Sequence, residues 1–400
     1  MRCGGTLYGE AVPAAAVPDD TGSELAELLG ELVSFPTECT TPNLELIRWF
    51  ADHVESNGGR VAVLDGAVGR ANLLASFGPE IAGGVMLSGH TDVVPAGTGW
   101  ATDPYSITTM GDSLHGRGTA DMKGFIAAIV RTIMQFRGVV LRRPLHIALS
   151  YDEEIGCVGV RKALEVIAER DDVAPEVVVI GEPTMMRPRH SHMGKLAYQV
   201  VCNATAAHSS LSHSKPSAIT IAVRMLNALD DLQRQYRPLG DPEVTFNCGS
   251  ISGGSALNVI AERCTFTFET RHTVDRDPDM VLQPFMRAVD HERASLADHR
   301  GSIDVIEVTR YPALRTASDD PWLRIIERIA DAGAATSIGY GTEGGLFAAA
   351  LDTSVVICGP GDIAVAHRPD EYVTIDQLLR CERFLCSLVQ QVCVDPAAEG

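Results

Sequence analysis

The chain has 400 residues, 45% hydrophobic and 21% charged, which leaves room for two domains of about 100 to 200 residues and excludes a stapled mini-protein, a collagen, a coiled coil and wholesale disorder. Its 33 Lys and Arg against 52 Asp and Glu give a net charge of -19, which disfavours phosphate backbones and anionic bilayers, so neither a nucleic acid nor a membrane is expected as a partner. Ten cysteines with no CxxC pair read as reduced, buried thiols rather than a disulfide framework.

Residues 1–22 are rich in Ala, Pro and Gly and lack a compact apolar stretch, so they read as a flexible leader on a cytoplasmic protein. From Ser23, SELAELLGELVSF places Leu25, Leu28, Leu29 and Leu32 on one helical face and stops at Pro36. Apolar strand-like runs follow at 85–90 (VMLSGH), 144–154 (PLHIALSYDEE), 176–183 (EVVVIGEP) and 353–361 (TSVVICGPG). Helical patterns separate them, as in FIAAIVRTIMQF, where Phe125, Ile126, Ile129, Val130, Ile133 and Met134 share a face. This alternation predicts an α/β fold whose sheet is covered on both sides. Over 191–309 the order becomes β-α-β-β-α-β, the pattern of an inserted ferredoxin-like α+β domain. Segments 23–190 and 310–400 then make up the main α/β domain.

Four of the apolar strands run into carboxylate or imidazole groups: His90 and Asp92 in SGHTDVVP, Glu153 and Glu154 in SYDEE, Glu182 in GEPT, and His367 in AHRPDE. The C-terminal edge of an open α/β sheet is where such folds bind ligands. A fifth group, Asp121 in GRGTADMKG, lies in a Gly-punctuated loop before a helix. Alone, each has a bland reading, such as a capped loop histidine, a solvated acidic turn or a helix N-cap. Their recurrence at strand ends of one domain favours metal binding, with ligand types suited to Zn, Mn or Co. Five ligands exceed one tetrahedral ion and fit two ions bridged by a carboxylate, for which Asp121 is placed. The adjacent acids Glu153 and Glu154 cannot both face the same way, so one can bind metal while the other stays free as a general base, and Glu153 can shuttle a proton from a metal-held water to a departing amine. Asp92, two residues after His90, is positioned to accept that imidazole's second N–H.

HTDVVP, GRGTADMKG, DEE, GEPT and AHRPDEYV, in this order and spacing, resemble the M20 metallopeptidase family of dinuclear zinc amidohydrolases over nearly everything after residue 23. The resemblance implies a metal-dependent exopeptidase-like α/β catalytic domain and an inserted lid and dimerisation domain at 191–309. AHSS, GGSALNVIAERC, FETR, YGTEGG and CGPGDIAVAHRPDEYV are similar to the branch that cleaves N2-acetyl-L-ornithine to ornithine and acetate for arginine biosynthesis. The rivals are a broader N-acyl-amino-acid deacylase, a succinyl-diaminopimelate desuccinylase, and a non-catalytic metal or amino-acid binding protein on the same scaffold.

Carried over by motif, the resemblance implies two Zn2+ or Co2+ ions per subunit, one held by His90, Asp121 and Glu182, the other by Asp121, Glu154 and His367. Glu153 becomes the base. His208, in AHSS, is implied to reach the active site of a homodimeric partner and stabilise the oxyanion. Asn258, Arg271, Gly341 and Thr342 are implied to grip the substrate carboxylate. Alternation supports Arg271, since Phe266 and Phe268 occupy one face of their strand and Thr265, Thr267, Glu269 and Arg271 the other. Glu343 is read either as the partner of ornithine's side-chain ammonium or as a brace for its loop. HMG stands at 192–194 where HKG is expected, and GTEGG replaces GTEAG. These departures leave acyl and amine specificity open.

Overall fold

In the computed structural model the described residues are 21–236, 243–296 and 301–394. The expected leader lies outside them except for its last two residues, which open the helix Thr21–Ser34. The apolar runs form the centre of a nine-stranded mixed sheet. Four parallel neighbours make that centre: Leu145–Ser150, Val85–His90, Val177–Pro183 and Ser354–Gly359, in that order. Their side chains alternate between two cores. Val85, Leu87, Ile147, Val177, Val179 and Val356 pack with the helices Thr21–Ser34, Gly124–Gln135 and Ile375–Val389. Met86, Ala148, Val178, Ile180 and Val355 pack with Val160–Ala168 and Gly344–Leu351. Burial on both faces is why these strands read as continuous apolar runs.

The helix Gly124–Gln135 departs from its expected stripe. Phe125, Ile126, Ile129, Val130 and Ile133 are buried, but so are Ala127, Ala128 and Thr132, while Met134 is 39% exposed. The helix lies between the sheet and the flanking helices Thr21–Ser34 and Ile375–Val389, so small residues on its second side meet neighbours that a single-stripe reading does not anticipate.

The insert carries a four-stranded antiparallel sheet in the order Val244–Gly253, Arg263–His272, Gly194–Asn203, Ser302–Tyr311. Its first strand in the chain therefore lies between its third and fourth, as β-α-β-β-α-β order requires in a ferredoxin-like unit. The helices Ala218–Tyr236 and Pro278–Leu296 cover one face, over a core that includes Leu196, Val200, Ile221, Phe266, Phe268 and Phe285. The other face is half-buried along Arg263–His272. Among the described residues no helix is long and apolar enough to cross a membrane.

Candidate metal centre

All four central strands deliver side chains to one sheet edge. His90 ends its strand, Glu182 stands next to last in Val177–Pro183, Glu153 and Glu154 follow Leu145–Ser150, and His367 lies in the loop after Ser354–Gly359. Asp121 comes from the turn before Gly124–Gln135. There Gly118 adopts φ +83°, and a Cβ would lie 2.6 Å from Val93, so the turn needs glycine for both conformation and space.

The Asp121 carboxylate points its two oxygens at two different histidines. Oδ1 is 3.1 Å from His90 Nε2 and Oδ2 is 3.2 Å from His367 Nε2. Glu182 Oε1 lies 3.9 Å from His90 Nε2 on the first side, and Glu154 Oε2 lies 2.9 Å from His367 Nε2 on the second. Ligand atoms of His90, Asp121 and Glu154 fall within 4.8 Å of one another, and so do those of His90, Glu153 and Glu182. The five expected ligands and Glu153 are thus brought together.

The cluster is electrostatically unfinished on its own. Burial pushes the Glu153 carboxyl well above the usual range, with Glu154 and Glu343 adding to it against the His90 imidazole. Burial does the same to Glu182, helped by Asp121 and Glu153, and raises Glu154 to about 6. Asp121 goes the other way: burial opposes its charge, but hydrogen bonds with His367 and His90 hold it below the carboxylate range. Bonds to Asp121 and Glu154 raise His367 to about 10. Carboxylates that must otherwise take up protons or share imidazolium charge suit dipositive ions, and the oxygen and imidazole donors suit zinc or cobalt.

Around the ligands, Asp92 plays a different part from the one expected. His90 Nδ1 sits 2.9 Å from the Asp92 main-chain carbonyl, whereas the Asp92 carboxylate is 3.7 Å away. That carboxylate accepts the main-chain N–H groups of Glu153 and Glu154 at 3.1 and 3.2 Å. The carbonyl fixes the imidazole and the carboxylate fixes the turn bearing the two glutamates. Glu153 in turn accepts the Cys157 thiol at 3.2 Å.

Facing the ligands, the pocket is lined by Lys195, Arg271, Tyr311, Tyr340, Gly341 and Ile363. Arg271 lies where alternation places it, on the face opposite the buried Phe266 and Phe268. It pairs in register with Lys195 on the neighbouring strand, and Glu269 bridges them, 2.8 Å from Lys195 Nζ and 3.1 Å from Arg271 Nε. Gly341 belongs there because any Cβ would collide with the Tyr311 ring.

Thr342 and Glu343 do not reach this wall. Thr342 is 0% exposed, and its hydroxyl accepts the Gly344 N–H at 2.9 Å. Glu343 is 2% exposed, and burial raises its carboxyl to about 7. Both precede the helix Gly344–Leu351, whose first turn carries them inward, which favours the loop-bracing reading of Glu343. His208 and Asn258 come together elsewhere, at the two-residue ladder of Ala207–His208 with Val259–Ile260. Both are solvent-exposed, the Asn258 carbonyl accepts the Ser209 N–H at 3.0 Å, and neither lines the pocket of its own chain. No local pattern in the sequence marks Lys195, Tyr311 or Tyr340 as pocket residues. Lys195 joins the pocket only through strand register, and Tyr340, whose hydroxyl donates to the Pro183 carbonyl at 3.0 Å, had only its place in YGTEGG to mark it.

Comparison with known proteins finds relatives of the chain and of its fold. A family model described as Peptidase family M20/M25/M40 matches residues 86–391. An acetylornithine deacetylase of Myxococcus xanthus is 32% identical over 389 residues, covering 94% of this chain and 99% of that one. Among solved structures, the M20 family metallo-carboxypeptidase Sso-CP2 of Sulfolobus solfataricus matches with a TM-score of 0.75 at 17% identity, covering 92% of this chain and 98% of that one. The Bacillus subtilis YXEP protein, described as a dinuclear metal binding peptidase from M20 family, matches with a TM-score of 0.65 at 14% identity, over 92% and 97%.

Proposed function

The chain belongs to peptidase family M20/M25/M40, a family of metal-dependent hydrolases, and on that premise we propose that it hydrolyses N2-acetyl-L-ornithine to ornithine and acetate. The observation that carries the chemistry is the division of the Asp121 oxygens between His90 and His367, with Glu153 alongside. The name of the Myxococcus relative supports the substrate. The setting we propose is a cytoplasmic homodimer serving arginine biosynthesis.

His90, Asp121 and Glu182 would hold one Zn2+ or Co2+, and Asp121, Glu154 and His367 the other. Such ions supply Lewis-acid polarisation of the amide carbonyl and make water more acidic. Glu153 takes the proton from the attacking water and hands it to the departing amine. Its place beside His90 and Glu182 puts it within reach of a water held there. Arg271, with Lys195 beside it, offers a cationic wall for the substrate carboxylate, where a guanidinium fork can bond both oxygens. His208 and Asn258, facing outward on their own chain, would complete the site of a partner subunit, with His208 donating to the developing oxyanion. The exposed Leu211, Leu257 and Val259 stand within three residues of His208 or Asn258 in the chain, and apolar side chains beside those outward-facing groups favour pairing through 191–309.

A broader N-acyl-amino-acid deacylase is the second reading. The absence of Glu343 from the pocket lining favours it, because the carboxylate that could have met ornithine's ammonium does not face the substrate there. Free-amine release from N2-acetylornithine, N-acetylcitrulline, N-acetylmethionine and succinyl-diaminopimelate separates the cases. Strong preference for acetylornithine is expected. A flat acetyl profile would replace the substrate but keep the chemistry, and no hydrolysis at full metal loading would point to a binding protein.

A further inference from the structure

Two motifs contain charged residues that neither ligation nor base catalysis uses: Arg117 in GRGTADMKG and Glu371 in AHRPDEYV. Their side chains are 2% and 1% exposed, and Arg117 Nη1 lies 2.6 Å from Glu371 Oε2. The other carboxylate oxygen, Oε1, accepts the main-chain N–H groups of Ala120 and Asp121 at 3.0 and 3.1 Å. The guanidinium also donates to the Arg368 carbonyl at 3.3 Å and the Ala96 carbonyl at 3.2 Å, and stands 5.1 Å over the Trp100 ring. This one buried pair therefore touches three segments: the loop that follows His90 and Asp92, the turn that carries Asp121, and the loop that follows His367.

A buried ion pair is weak evidence for stability, since apolar replacements of similar volume are often as stable. What this pair does provide is orientation. The Asp121 main chain, at φ -124° and ψ 92°, is not helical, so helix hydrogen bonding does not hold its N–H, and Glu371 does. We propose that Arg117 and Glu371 are positioning residues for the dinuclear centre. Glu371 sets the Asp121 peptide so that the two carboxylate oxygens divide between His90 and His367, and Arg117 ties the His367 loop to the loop after His90. The inference rests on the reading that these ligands hold metal.

The test compares the parent protein, stripped of metal, with the double variant R117M/E371M, which removes the pair without leaving a lone buried charge. The readouts are Co2+ affinity by chelator competition, visible absorption of the Co2+ protein, and kcat and KM separately. The expected result is a folded variant with Co2+ affinity weaker by about 10–100-fold, the range for outer-shell partners, an altered Co2+ spectrum, and a lower kcat with KM little changed. A folded variant with the parent's affinity, spectrum and kcat would overturn the proposal and leave only a structural ion pair. Should the double variant not fold, Glu371→Gln decides. Its amide NH2 must face either Arg117 or the two N–H groups, so one tie is lost in either orientation and weaker Co2+ binding is expected; parental binding and spectrum would overturn the proposal. A parent that itself fails to bind two Co2+ per chain would refute the metal reading rather than the role of the pair.

Discussion

One wall of the pocket is made of strand ends and the other of a sheet face, and the two demand different things of the sequence. On the metal wall, His90, Glu153, Glu154, Glu182 and His367 each stand at or shortly after the end of one of four adjacent parallel strands. Once those strands are parallel neighbours, the groups at their ends converge on one edge, and the turn of Asp121 and the loop of His367 complete the set. On the substrate wall, as we propose it, Arg271 and Lys195 meet only because their strands pair in one register and Gly341 is admitted only because Tyr311 packs on it, while His208 and Asn258 lie outside the pocket altogether. A one-residue slip in strand pairing would change the substrate wall completely and barely disturb the ligands. On the proposed roles, specificity in this chain depends on strand register in a way that the metal ligands do not.

If the walls divide labour in this way, damage to the substrate wall belongs in KM. Arg271→Met is expected to raise KM about 10–100-fold, the worth of a lost charge-assisted hydrogen bond of about 1.5–3 kcal/mol, with kcat changed by no more than a few-fold. Lys195→Met should act in the same direction and more weakly. Steady-state kinetics on the substrate and on its carboxamide check this, since the carboxamide should be indifferent to either change. A collapse of kcat at constant KM would break the comparison by putting Arg271 in the chemistry.

Glu343 sharpens the boundary between the walls with a smaller effect. Its folded carboxyl is raised to about 7 from 4.5, so the folded state binds the proton more tightly than the unfolded chain. Its contribution to stability is therefore greatest below about pH 4.5 and is lost as pH rises through about 7. Glu343→Gln, which mimics the protonated form, should match the parent near pH 4.5 and exceed it above pH 7 by on the order of 1–3 kcal/mol. Urea unfolding of metal-free protein at both pH values measures this. Equal stability at both would show that the carboxyl is not a buried acid, and an altered preference between acetylornithine and acetylmethionine would return Glu343 to the substrate wall.

Most of the fold was legible, for the same physical reason as the metal wall. The runs at 85–90, 144–154, 176–183 and 353–361 are continuous because both sheet faces are covered, and the insert announces itself through its changed element order and the period-two pattern of CTFTFETR. Local pattern ran out where an interaction depends on a partner distant in sequence. The apolar spacing puts Met134 on one face with Phe125 and Ile129, and nothing local shows that flanking helices bury Ala127, Ala128 and Thr132 instead. The spacing of His90 and Asp92 suggested a side-chain acceptor, but the carbonyl of the same residue reaches the imidazole first and leaves the carboxylate to the Glu153 and Glu154 amides. Arg117 and Glu371 stood in view within their motifs, yet only the folded chain shows that one guanidinium and one carboxylate tie three ligand loops together.

The most direct test of the central claim is a Glu153→Gln variant assayed for metal content and hydrolysis in the same preparation. Glu153 lies close enough to His90 and Glu182 to be either a ligand or a base, and the substitution separates the two. The expected result is two ions per chain, as in the parent, with hydrolysis reduced by about 10²–10⁴-fold, the usual worth of a positioned acid–base group. Loss of one ion together with activity would make Glu153 a ligand, and hydrolysis within about tenfold of the parent, below that range, would place the base elsewhere.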